Sequence, residues 1–125
     1  MFSFSKKNSG ESTSIQWNIL DNSDLLQTIR AESEQQAVLI FKHSTRCAIS
    51  ATVLNRLERS WNAEEMPLKA YFLDLIAYRD LSNQIETEYG VAHESPQALV
   101  IKGGEVIYHT SHFGINYEEL KALVS

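Results

Sequence analysis

A chain of 125 residues with 43% hydrophobic and 22% charged side chains has the composition of one ordinary folded domain. Sixteen acidic against eleven basic side chains leave a formal charge of −5. That balance argues against a nucleic-acid partner, because displacing counterions takes a surplus of Lys and Arg, and no apolar run approaches the ~20 residues that cross a membrane.

The first residues, MFSFSKKNSGEST, hold a basic pair with no apolar core behind it. A flexible leader over residues 1–13 is expected there rather than a secretory signal, with one domain over 14–125. Ile15, Gln16 and Trp17 alternate as a short first strand would. Asn22 or Ser23 can cap a helix opening at Asp24, whose apolar face is Leu25, Leu26 and Ile29. Val38 to Phe41 is an apolar run without alternation, the pattern of a central strand covered on both faces.

A polar elbow from Lys42 to Arg46 leads to a second helix expected over about Cys47–Asn62. Ile49, Val53, Leu57 and Trp61 recur on its inner side, and Pro67 ends anything helical. Ala70 to Ile76 reads as another buried strand, and Leu81, Ile85 and Tyr89 as a third helix closed by Gly90. Two apolar segments then flank Lys102-Gly103-Gly104, a hairpin signal because tight turns demand positive φ. Asn116 to Glu119 has the spacing of a capping box and opens a last helix carrying Leu120, Leu123 and Val124. The order β-α-β-α-β-α-β-β-α predicts an α/β fold, a mixed central sheet with helices on both faces.

Cys47 is the sole cysteine, so the chain can form no internal disulfide, and a reducing compartment, the cytoplasm, is expected. A lone cysteine is commonly a small buried hydrophobe. Three local features point to chemistry instead. Cys47 follows a buried strand at the first turn of a helix, where free N–H groups and the helix dipole favour an anion. Lys42, His43 and Arg46 add positive charge, and no acid lies between Val38 and Thr52. Such surroundings favour the nucleophilic thiolate, with Arg46 and His43 as tuning residues.

Ser50 lies three residues on, one helical turn from Cys47, where its hydroxyl can reach the sulfur. It reads equally as a plain first-turn serine. Ser95-Pro96 precedes the strand at Ala98 and suits either a cis bond or a simple trans entry turn. His109-x-x-His112 invites a metal reading, but strand residues three apart face opposite ways and no third ligand is near in sequence, so no metal is expected. The chain has no phosphate loop, no dinucleotide fingerprint and no nucleophile-elbow serine.

A thiol after the second strand, then helix, strand, helix, and a proline before a hairpin, resembles the thioredoxin-like three-layer sandwich. EYGVAHESPQALVIKGGEVIYHTSHFG is similar to the corresponding part of thioredoxins. IFKHSTRCAIS followed by ATVLNRLERSW resembles, more specifically, the monothiol bacilliredoxins, or YtxJ-type general stress proteins. The likeness runs from about Trp17 to the end.

It implies a thiol–disulfide oxidoreductase that removes bacillithiol, or a similar low-molecular-weight thiol, from S-thiolated proteins. Cys47 takes the place of the nucleophile and Ser50 that of a resolving cysteine. Thr45, Ser95 and Pro96 would face the substrate, with Ser95–Pro96 cis. No cofactor is implied beyond bacillithiol as cosubstrate. Ala48 departs from the family's frequent proline. Phe41 stands where thioredoxins carry a buried acid, and the lack of that proton acceptor fits a one-thiol cycle. Two other readings fit the same residues: a stress-response interaction protein without redox turnover, or a thiol-dependent transferase.

Overall fold

The computed structural model describes residues 14–124, and the expected leader at 1–13 lies outside them. Strand β1 is Trp17–Ile19, helix α1 Asp24–Glu32, β2 Ala37–His43, α2 Ala48–Ser60, β3 Leu68–Asp74, α3 Arg79–Tyr89, β4 Gln97–Lys102, β5 Glu105–Ser111 and α4 Tyr117–Val124. Two 3-10 turns, Ala63–Glu65 and His112–Gly114, follow α2 and β5.

The sheet order is β1-β3-β2-β4-β5. β3 runs parallel to β1 and β2, while β4 runs antiparallel to both β2 and β5. Every residue of β2 is buried, and its apolar run from Ala37 to Phe41 is the kind that a strand covered on both faces requires. Val38 and Ile40 face one core with Leu26, Ile29, Leu81 and Ile85 of α1 and α3. Leu39 and Phe41 face the other, with Val53 and Leu57 of α2 and Tyr117 and Leu120 of α4. Each such side chain contributes about 1.5–3 kcal/mol by leaving water, so two covered faces hold the three layers together.

Element boundaries shift where local hydrogen bonds overrule periodicity. The first strand begins at Trp17 rather than Ile15, and Trp17 packs edge-on to Phe72 at 5.5 Å. α2 stops at Ser60, two residues short of the expected end, because Asn62 accepts the Glu64 amide proton and caps the following turn. β3 starts at Leu68, directly after Pro67, and ends at Asp74, whose carboxylate takes the amide protons of Ile76 and Ala77.

Gly90 ends α3 in the left-handed conformation at φ 71°. Asn116 accepts the Glu119 amide proton, but the Glu119 carboxylate bonds Tyr108 instead of closing the expected box. The hairpin turn at Gly103 and Gly104 has φ of 63° and 78°. It docks on the end of α1, where Ser33 O accepts from Gly103 N at 2.8 Å and Ser33 Oγ from Gly104 N at 2.9 Å.

Candidate active site

The elbow between β2 and α2 is short because Ser44 ties it internally. Its carbonyl accepts the Cys47 amide proton at 3.2 Å and its hydroxyl accepts that of Arg46 at 3.3 Å. Cys47 is therefore the N-cap of α2, with extended φ −115° and ψ 118°, rather than its first helical residue. The first backbone bond of the helix runs from Ala51 N to Cys47 O. The amides of Ala48, Ile49 and Ser50 thus have no acceptor within the helix, and no acidic residue stands in this first turn. The Cys47 side chain is half-buried and makes no capping hydrogen bond. The partly accessible sulfur thus stands at the positive end of the α2 dipole.

Thr45 and Arg46 are exposed on the same elbow, and among the described residues the Arg46 guanidinium forms no ion pair. Lys42 and His43, expected on the elbow, belong instead to β2 and are buried. They face opposite sides of the sheet, as alternate residues must. His43 lies on the α2 side, its ring 5.4 Å from that of Phe72. Burial lowers its pKa, against the smaller opposing pull of Asp74 and Glu58, so the ring is neutral rather than a positive neighbour of the thiol. The positive charge expected from this pair at the elbow is therefore absent.

Lys42 points to the side of the sheet covered by α3, fully buried, with its ammonium donating to Ser82 O at 3.3 Å. Desolvation pushes its pKa down to about 8, only partly offset by Glu86. Strand alternation was the missed signal, because a cation between Phe41 and His43 at the end of an apolar run has its face fixed by the strand.

Ser50 is fully buried. Its hydroxyl oxygen lies 2.7 Å from His43 Nδ1 and accepts the Ser44 amide proton at 3.1 Å. In the Nε2–H tautomer of the neutral ring, Nδ1 accepts the Ser50 hydroxyl proton. The hydroxyl expected to face the sulfur is thus engaged with the strand and the elbow. Ser44, which organises this turn, carried no signal in the sequence beyond being polar.

The Ser95–Pro96 bond is cis. Gln97 pairs with Lys42 in the β2–β4 register, so Pro96 falls beside His43, at the sheet end from which the Cys47 elbow departs. Ser95 is half-buried, and its hydroxyl has no hydrogen-bond partner among the described residues. Gln97 donates to Ala92 O at 3.0 Å and holds down the segment before Pro96. His112 N donates to Pro96 O at 3.0 Å, and Arg56 of α2 donates to Phe113 O and Ile115 O. The turn after β5 therefore bridges the proline and α2. Ile49 and Phe113 are exposed apolar side chains on these two elements. His109 is exposed on β5, and among the described residues no group of three or more His, Cys, Asp or Glu converges as a metal site would.

The family model described as monothiol bacilliredoxin BrxC matches residues 18–120. Among solved structures, a candidate oxidoreductase with a thioredoxin fold is 30% identical, with a TM-score of 0.73 over 85% of this chain and 91% of that one. Thioredoxin from Fasciola hepatica matches at 15% identity and a TM-score of 0.65, over 85% of this chain and 94% of its own. Malassezia sympodialis thioredoxin matches at 20% and 0.63, over 89% and 88%. The last two show the likeness of fold.

Proposed function

Because the chain belongs to the monothiol bacilliredoxin family, we propose that Cys47 removes a low-molecular-weight thiol, bacillithiol, from protein mixed disulfides in a reducing cytoplasm. The observation that carries this reading is the half-buried N-cap position of the only cysteine, at the sheet end shared with cis Ser95–Pro96.

The Cys47 thiolate attacks the bacillithiol sulfur of the mixed disulfide. A Cys47–bacillithiol disulfide forms, the old S–S bond breaks, and the protein leaves as a thiolate that takes a proton from water. A second bacillithiol thiolate then attacks the same bacillithiol sulfur. It releases Cys47 and carries away the oxidising equivalent as the bacillithiol dimer. Ser50 contributes no thiol, so nothing within the chain competes with that external resolving step.

The test is mass spectrometry of the native protein after incubation with oxidised bacillithiol. One adduct on Cys47, released by added bacillithiol, is the expected result. The absence of any adduct at neutral pH overturns the reading.

A further inference from the structure

The segment that leads from Gly90, at the end of α3, to Ser95–Pro96 is fastened in an unusual way. Among the described residues, 91–95 make no backbone-to-backbone hydrogen bond. Side chains hold the segment instead. Val91 sits in the core with Leu81 and Ile85, and buried Gln97 donates from Nε2 to Ala92 O at 3.0 Å. The half-buried His93 places Nδ1 3.3 Å from the hydroxyl of Ser82, an α3 residue with no exposed surface. Glu94 is exposed, 3.8 Å from His112 Nε2, and the Ser95 hydroxyl has no partner among the described residues. The His93–Ser82 contact is thus the last side-chain anchor into α3 before Ser95–Pro96.

That anchor is sensitive to charge. Ser82 also gives its carbonyl to the Lys42 ammonium at 3.3 Å, so the ring shares its buried partner with a cation. The charged groups that face His93 are Lys42 of β2, Arg79 and Glu86 of α3, and Glu94 of its own segment. Burial first, then Lys42 and Arg79, hold its pKa below the ordinary 6.5, against the smaller pull of Glu86 and Glu94. A proton on the ring is therefore disfavoured in the seated segment and favoured where water surrounds the ring, so acid shifts the balance toward a lifted segment. Lifting 93–95 breaks no backbone hydrogen bond and costs less than unfolding the domain.

We infer that His93 is a positioning residue: neutral and bonded to Ser82, it seats the segment carrying Ser95–Pro96 at the Cys47 end of the sheet, and protonated, it lets that segment lift. The inference rests on the function proposed above. It makes exchange at Cys47 sensitive to mild acid through a group that never touches the sulfur.

The experiment divides two rates measured on the parent, His93→Gln and Ser82→Ala between pH 7.5 and pH 5.5. The first is adduct formation on Cys47 with the bacillithiol dimer, which needs the segment in place. The second is alkylation by iodoacetamide, which follows the thiolate fraction alone. In the parent the ratio should fall about fivefold toward pH 5.5, the cost of a displaced positioning element. Glutamine bonds Ser82 without titrating, so His93→Gln should keep its ratio constant within about twofold over the same range. Ser82→Ala favours the helix but cuts the anchor, and its ratio should already be low at pH 7.5, near the parent's value at pH 5.5. His43, His112 and the groups of the probe titrate in all three proteins, so the difference between them reports His93.

A parent ratio that stays flat with pH overturns the inference while leaving the proposed function standing. The same fall in His93→Gln overturns it by assigning the effect to another group. A Ser82→Ala ratio equal to the parent's at pH 7.5 overturns the anchor itself. A parent that forms no adduct at any pH overturns the proposed function, and this inference with it.

Discussion

Ser50 Oγ stands 2.7 Å from His43 Nδ1 and joins the first turn of α2 to the last residue of β2. The position that a dithiol enzyme would give to its second sulfur is here a structural fastener. Ser50→Ala leaves Ser44 N–H and His43 Nδ1 without their partner in a buried place, a loss of about 1–3 kcal/mol. Urea unfolding should show that loss while mass spectrometry still finds the adduct on Cys47. Ser50→Cys should lower stability for the same reason, yet gain a C-x-x-C pair that closes on oxidation, so that the bacillithiol adduct decays without added thiol.

Cys47 caps α2 without a capping hydrogen bond, a role serine fills better. Cys47→Ser should therefore abolish adduct formation and raise stability by about 0.5–1 kcal/mol in the same urea experiment. A stabler helix end gained together with a lost adduct is the outcome expected if Cys47 serves the proposed chemistry rather than the cap.

The buried Lys42 ammonium gives a pH dependence whose sign follows from its pKa of about 8, below the ordinary 10.5. Between those values the unfolded chain binds the extra proton, so this residue adds stability as pH rises through the window and is a full liability below it. Lys42→Met should be more stable than the parent by up to about 3 kcal/mol at pH 7, the equivalent of that shift. The gap should narrow on going to pH 10. Parallel urea titrations at both pH values check it, and a gap that does not change with pH contradicts it.

His43 behaves in the opposite pH range. Its lowered pKa means that the folded protein resists protonation, so stability present above the ordinary value of 6.5 is lost as pH falls through that value toward the folded one. His93, also shifted down chiefly by burial, adds to the same acid limb. The ring-proton resonance of His43, followed by NMR, should titrate with a midpoint below 6.5, and a midpoint at or above it contradicts the buried neutral ring.

What was legible in the sequence was local. The run Val38 to Phe41, the glycines at the hairpin and Gly90 each encode their geometry within a few residues, and all stand where expected. Asn116 caps as its spacing demands. The site was legible only in outline. That Cys47 opens a helix follows from the strand-elbow-helix pattern, but the face taken by Lys42 depends on where β2 ends. The Ser50–His43 bond depends on how α2 lies over the sheet, and the backbone of His112 is set by the carbonyl of Pro96, sixteen positions earlier. Such contacts belong to tertiary structure and leave no periodic trace in the chain.

Glycine-rich hairpin tips are the customary place to splice an epitope tag or a fusion partner, because most project into solvent and tolerate extra length. This one does not project. Gly103 and Gly104 give their amide protons to Ser33, a residue with no exposed surface, and Arg30 reaches the Gly104 carbonyl. An insertion between the glycines would strip α1 of the partner that covers its end and leave the Ser33 carbonyl unpaired inside the protein, its hydroxyl keeping only the bond it donates to Arg30 O. For anyone building reporters on this scaffold, the most inviting turn in the sequence is closed.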